Sequence, residues 1–562
     1  MKVSYKYLIV FSLLLLVLSA CGADGSAGPQ LATVVAPAAT AMMPEAVTPA
    51  EGAPVPLATV TLSPVPSSTP VPTLAPWRVG AGPAVPPDLV QAARDLIAAR
   101  PDQFVWSETE PVDLSLVVDG GQPLAGWVYV VVAPFPTVAD DVGLTRLQAT
   151  WQGGGTPLPV LTTQTSALLE NLWGPGTVEK VPEASMRDTL WQIGEAWSVI
   201  PFHRLTPDLK VLRVDGVSPL DKGFDPAGYP LAVQVGITGE AEAVAQFQDA
   251  WSGPATNRDS GHISRVAMTG VTALVRATAY QMEIRDLLYP GEEVAPVLQS
   301  ADFAHVSNEV SFVYDCPPPH YLGDPVFCSD PRYLALLESL GVDIVELTGN
   351  HLNDWGAHYI PYSLGLYDEA GMRYFGGGRD VEAARAPILV EHNGNQIAFV
   401  GCNPVGPAGA WATAERGGSN PCDYEAFYAQ IGELAAEGYL VIATQQYQEI
   451  YNYAPTAQQR VDFQAIAAAG AAAVSGSQGH HAQGFAFHEG AFIHYGLGNL
   501  FFDQMDRPGT RQTFVDTYTI YDGRLLSVEL WTGLIENYAR PRLMTAGERA
   551  EFLQTVFQAS GW

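Results

Sequence analysis

Val342-Asp-Ile-Val-Glu-Leu347-Thr-Gly-Asn350-His351-Leu-Asn-Asp354-Trp-Gly356 is the stretch that decides the fold. Its first half is a short apolar run, as in a strand covered on both faces. Its second half turns abruptly to amide, imidazole and carboxylate side chains. Strands that end in such residues belong to open α/β sheets, where ligands gather at the carboxyl edge. The neighbouring sequence repeats the plan. A helix is expected over 331–340 and another over 360–370, and a strand over 302–307 ends in Asn308-Glu309. Strand 396–402, helix 424–437 and strand 439–444 follow, the last ending in Gln445-Gln446-Tyr-Gln448-Glu449. Helix 456–469 leads to strand 472–475, which ends in Gly476-Ser-Gln478-Gly-His480-His481. A strand over 491–495 precedes Gly498-Asn499, and a hairpin over 514–531 turns at Asp522-Gly523. A last helix is expected over 546–558. The expectation is one parallel sheet whose carboxyl edge brings 308–309, 350–354, 445–449 and 478–480 into a shared pocket.

Residues 265–506 resemble the CapA family of capsule-synthesis proteins and, more distantly, calcineurin-like metallophosphatases. The resemblance rests on Gly349-Asn350-His351 with Asp354, on Asn308-Glu309, on Pro455-Thr-Ala-Gln-Gln459, and on His494-Tyr495 followed by Gly498-Asn499-Leu-Phe-Phe-Asp503. It implies a metallophosphatase-like α/β sandwich over 265–562 and a part in poly-γ-glutamate capsule synthesis or export. It also implies a metal site with a Gly-Asp pair after the first strand, Asn-His, a lone His and a Gly-His-x-His turn. Here the first pair is Gly270-Val271, the lone histidine falls on Gln445, and Gln478 stands in the histidine turn. Glutamine is a poor metal ligand beside imidazole or carboxylate, so a two-metal centre is not expected. The retained set is His351 and His480 as metal ligands to one divalent ion (Zn, Mn or Fe), with Glu309, Glu449 and Asp354 as acid, base or orienting carboxylates. Asn308, Asn350, Gln445, Gln478 and Asn499 complete a cleft for an anionic polymer or small solute. The alternative reading is a non-catalytic binding or scaffold protein at the cell surface.

Upstream, residues 78–264 alternate helical and strand patterns and form a second α/β domain. The apolar run Trp127 to Ala133 reads as a buried parallel strand. The order of elements, with a helix and turn over Leu147 to Gly153, resembles part of a type 2 periplasmic solute-binding protein. Residues 1–21 read as a secretory signal: Lys2 and Lys6, an apolar run over 8–18, then Leu18-Ser-Ala-Cys21. That ending resembles the bacterial lipobox, which implies lipid on Cys21 and anchoring of the protein outside the cytoplasm. Residues 22–77 are rich in Pro, Ala, Thr and Val, carry no Lys or Arg, and read as an extended tether.

Four further cysteines, Cys316, Cys328, Cys402 and Cys422, suit disulfides in an oxidising compartment. The local pairs 316–328 and 402–422 are preferred among three connectivities; a zinc site is the rival. The chain has 28 basic against 59 acidic residues, a net charge of −31, and no cationic cluster after the signal. That excludes nucleic acid, which demands phosphate-neutralising cations; the lipobox resemblance implies a membrane contact through lipid, and the CapA resemblance implies capsule-synthesis membrane proteins as partners.

Overall fold

The computed structural model describes residues 75–321 and 327–562. The expected signal, Cys21 and nearly all of the tether lie outside those residues. Among the described residues, no helix is long and apolar enough to cross a membrane. The described residues are α/β throughout.

The amino-terminal lobe is built on one mixed sheet. Its strands run in the order Phe104–Trp106, Trp77–Ala81, Leu114–Val118, Ala232–Gly239, Gln122–Pro134, Ala196–Pro201, Leu158–Pro159. Trp127 to Ala133 lies inside Gln122–Pro134, and there the expectation of a parallel strand fails. All three partners of that strand, Ala196–Pro201, Leu209–Val214 and Ala232–Gly239, run antiparallel to it. A continuous apolar run reports burial on both faces, not strand direction. This strand is central, and its last eight residues are all buried.

Among the described residues, the carboxyl-terminal lobe is built on two large sheets and a small two-stranded one (Gly377–Gly378 with Gly418–Ser419), not the single parallel sheet the strand pattern suggested. In the first, Arg373–Phe375, Val342–Glu346, Phe303–Asn308 and Ile263–Thr269 are parallel neighbours. Gln512–Tyr521, Arg524–Glu536 and Arg540–Leu543 continue it antiparallel. In the second, Asn395–Cys402, Leu440–Gln446, Ala471–Ser477 and Ala491–His494 are parallel, with an antiparallel strand at each edge. Helical periods between strands cannot say which sheet a strand joins, and this is why the sequence reading merged the two.

Period-2 alternation sorts the side chains into layers. Val266, Met268, Ile344 and Phe514 of the first sheet pack with Ile397, Phe399, Ile442 and Phe492 of the second, filling the space between. The alternate positions face helices. Ala267, Val306 and Val345 meet Leu336, Leu337 and Leu364. Val400, Val441 and Val474 meet Ile431, Phe463 and Ile466. The result is a sandwich of two sheets between two helical layers, as the metallophosphatase resemblance implied. Disulfides join Cys316 to Cys328 and Cys402 to Cys422.

A candidate ligand cleft between the two sheets

The carboxyl ends of both sheets open on the same side, and the alternation decides which residue of each strand enters the gap. In Leu440–Gln446, Leu440 and Ile442 face the core between the sheets, so Gln446 does too and Gln445 does not. The hydrogen bonds agree. Gln446 donates to Asn350 Oδ1 at 3.0 Å and to the side-chain amide oxygen Oε1 of Gln478. Gln445 instead reaches Tyr424 OH at 3.1 Å, beside Cys422 on the helical side. Gln446, not Gln445, therefore enters the cleft. Asn308 is likewise turned to the helices, donating to Tyr367 OH at 2.6 Å.

Glu309 lies at the centre of the gap. It is fully buried, and neither carboxylate oxygen has a hydrogen-bond partner. Burial pushes its carboxyl above the ordinary range, although His480 and His351 pull the other way. Gly349 permits its close approach: a Cβ there would stand 2.5 Å from Glu309 Cα.

Each histidine is oriented through Nδ1. His351 Nδ1 is 2.6 Å from Asp354 Oδ2, and His480 Nδ1 is 2.7 Å from Asn499 Oδ1. Asn499 is itself fixed by donating to the carbonyls of His480 and Thr510. Burial works against a charge on His351, but Asp354 and Glu309 outweigh it and raise its pKa. Asp354 is thus a positioning residue. Glu449 is exposed at the mouth, accepting from Tyr451 and, at 3.3 Å, from Gln504.

A roof of stacked groups covers these residues. Phe327 stacks on His351 with centroids 4.1 Å apart, and Phe502 stacks on His480 at 4.8 Å. The Arg276 guanidinium sits 4.9 Å from both phenyl rings and is held by the Asp503 carboxylate. Three residues of the cleft, Arg276, Gln478 and His480, have left-handed backbone with φ of 48°, 69° and 46°. Such conformations cost non-glycine residues energy and concentrate at functional sites.

Below Glu309 the floor is a second buried acid. Glu346 lies 3.3 Å from His305 and accepts from Thr348 and, at 3.0 Å, from Ser477 of the other sheet. Burial alone would raise its pKa, but His305, Thr348 and Ser477 together hold it below the ordinary value. The Gly-Asp position of the metal-binding pattern carries Val271, an apolar buried side chain.

Residues 265–504 match the family model described as bacterial capsule synthesis protein PGA_cap. That segment is similar to the CapA-type capsule synthesis proteins. The capsule biosynthesis protein CapA of Bacillus anthracis is 25% identical over 222 residues, 38% of this chain and 54% of that one. The PGA biosynthesis protein CapA of Bacillus subtilis (strain 168) is 27% identical over 212 residues, 38% of this chain and 56% of the relative. The chain thus spans about half the length of the curated relatives it matches. Among solved structures, a 5'-nucleotidase precursor from Thermus thermophilus is 14% identical, covering 53% of this chain and 58% of that one, with a TM-score of 0.30. An ABC-type phosphate transport receptor from Vibrio cholerae is 13% identical, covering 32% of this chain and 93% of that one, with a TM-score of 0.27.

Within the matched segment, the structure brings Glu309, Asn350, His351, Gln478, His480 and Asn499 to one cleft. Sequence reasoning placed 445–449 in the pocket but chose Gln445 rather than Gln446 as the binding residue, and it missed Arg276 and the two phenyl rings. Alternation from Leu440 and Ile442 was a usable signal for Gln446. No sequence pattern announces Arg276, whose place depends on the packing of Phe327 and Phe502.

Proposed function

We propose that this chain is a lipid-anchored, extracytoplasmic component of capsule polymer synthesis or export, of the poly-γ-glutamate type. Its cleft binds the anionic polymer without a two-metal centre. The observation that supports this best is Glu309, a buried carboxyl with two unpartnered oxygens under an arginine-bearing roof. A γ-linked glutamate chain offers carboxylates and amides in alternation. Arg276 suits a carboxylate. Glu309, held toward its protonated form, suits an amide carbonyl, and the Asn350–Gln446–Gln478 amides suit the amide groups that remain. The Cys21 anchor, the capsule-synthesis membrane partners and the compartment are parts of the same proposal; two disulfides fit an oxidising compartment.

One observation favours a second reading, a single divalent cation. Both imidazoles are tied through Nδ1, the pattern by which ligating histidines present Nε2 to a metal. His351, His480 and Glu309 would hold the ion, which would supply Lewis-acid polarisation of a bound carbonyl. Against it, among the described residues no three His, Cys, Asp or Glu side chains stand together as a set that holds a metal. Dialysis against EDTA separates the two. Under the first reading the melting temperature stays unchanged and metal analysis finds none. A fall that is reversed by Zn, Mn or Fe, with about one equivalent bound and lost in His351→Ala, would establish the second.

A further inference from the structure

Outside the cleft, three tyrosine rings form a ladder at the surface. Tyr280, on helix Arg276–Ile284, has its ring centroid 5.5 Å from that of Tyr321. Tyr321 lies 5.3 Å from Tyr538, which sits in the turn between strands Arg524–Glu536 and Arg540–Leu543. Tyr321 is 41% exposed. Among the described residues, none of the three rings is packed into a hydrophobic core. Aromatic surface left outside a core and gathered in one place marks an interaction site.

The backbone under the ladder points the same way. Ala539 N–H closes the turn on the Glu536 carbonyl at 3.1 Å. Its two central residues, Asn537 and Tyr538, have φ of 51° and 63°. Turns with two such residues usually place Asn-Gly there, because glycine adopts positive φ without strain. Here a tyrosine stands in the glycine place, an outlier for so bulky a side chain. The turn is tied to the helix by Thr278 Oγ1, which donates to the Tyr538 carbonyl at 2.7 Å. Strain kept in place by its surroundings is a mark of function, and what it does here is hold the Tyr538 ring beside Tyr321.

Charge narrows the partner. Arg276 and Arg540, the arginines nearest in sequence to Tyr280 and Tyr538, are taken up by Asp503 and by Glu292 and Glu536. The ladder therefore offers ring faces and phenolic hydroxyls, not free cations, in a chain whose net charge is −31. That surface suits an uncharged polymer with apolar C–H faces and hydroxyl edges, which is the chemistry of a glycan. The ring spacing of 5.3–5.5 Å is close to that of successive sugar rings along such a chain.

We propose that Tyr280, Tyr321 and Tyr538 form a binding platform for a neutral glycan chain, a site separate from the cleft and independent of the cleft's ligand. Sugar C–H faces lie on the rings, and sugar hydroxyls exchange hydrogen bonds with the phenols.

The test is calorimetric titration of the purified full-length chain with cellohexaose and with the β-1,4-linked N-acetylglucosamine hexamer. Saturable binding of at least one of them is expected, and which one responds identifies the sugar. Tyr321→Ala, at the exposed central ring, raises the Kd roughly tenfold, the loss expected for one aromatic contact. Tyr538→Gly gives the same loss without a fall in melting temperature, since glycine suits that turn position, and this separates lost contact from lost folding. No saturable binding of either hexamer by the wild type, or undiminished binding in both variants, overturns the proposal. Binding of a γ-linked glutamate oligomer that both variants weaken, with neither hexamer bound, would assign the ladder to the anionic polymer and overturn it equally.

Discussion

Glu309 is the residue on which the cleft turns. A carboxylate buried without partners destabilises the fold that holds it, which proteins tolerate where a ligand will compensate. Glu309→Leu keeps most of the volume and removes both unpartnered oxygens. It is expected to stabilise the ligand-free protein by about 1–3 kcal/mol, the cost of a buried unsatisfied polar group. Denaturant unfolding measures this, and a less stable variant would contradict the account. The residue scale is also where the sequence was most and least legible. Asn350, His351 and His480 could be named because each follows a strand directly. Gln445 and Gln446 could not be told apart by adjacency alone, since one residue of slip moves a side chain to the opposite face. Arg276 was not legible, because its neighbours Phe327 and Phe502 are distant in sequence and only packing unites them.

At the scale of elements, strand ends and helix starts carry the polar chemistry, and the amino-terminal lobe offers a clean titration. Asp88 lies in the first turn of helix Pro87–Ala99. The hydrogen bond with His203, and then that from Arg204, bring its pKa from 3.8 to about 2 despite partial burial. A carboxyl depressed in the folded state contributes stability that is present above the unfolded value. That contribution is lost as pH falls from about 3.8 through about 2. Asp88→Asn should therefore lower the melting temperature at neutral pH and flatten its dependence over that acid window. Parallel curves for variant and wild type would show that the contact is without consequence. Helices and strands of the carboxyl-terminal lobe were legible from their apolar pattern. The direction of Gln122–Pro134 was not, because burial on both faces gives the same apolar run in either direction.

For the whole molecule, the sequence patterns carried the α/β class and the order of elements, and the family resemblance implied a sandwich, but the patterns alone did not divide the strands between two sheets. That division matters to function. A cleft at the edge of one sheet would draw on loops alone, whereas here each sheet contributes one wall and Ser477 reaches across to Glu346. The cleft is thus as rigid as the packing between the sheets, suited to holding an extended polymer in fixed register. The most direct measurement of the central claim is calorimetric titration of the full-length chain with a γ-linked glutamate oligomer in the presence of EDTA. The account predicts saturable, metal-independent binding that Gln446→Ala and His351→Ala each weaken by about tenfold or more. Absence of binding in EDTA, with binding restored by a divalent ion, would contradict it.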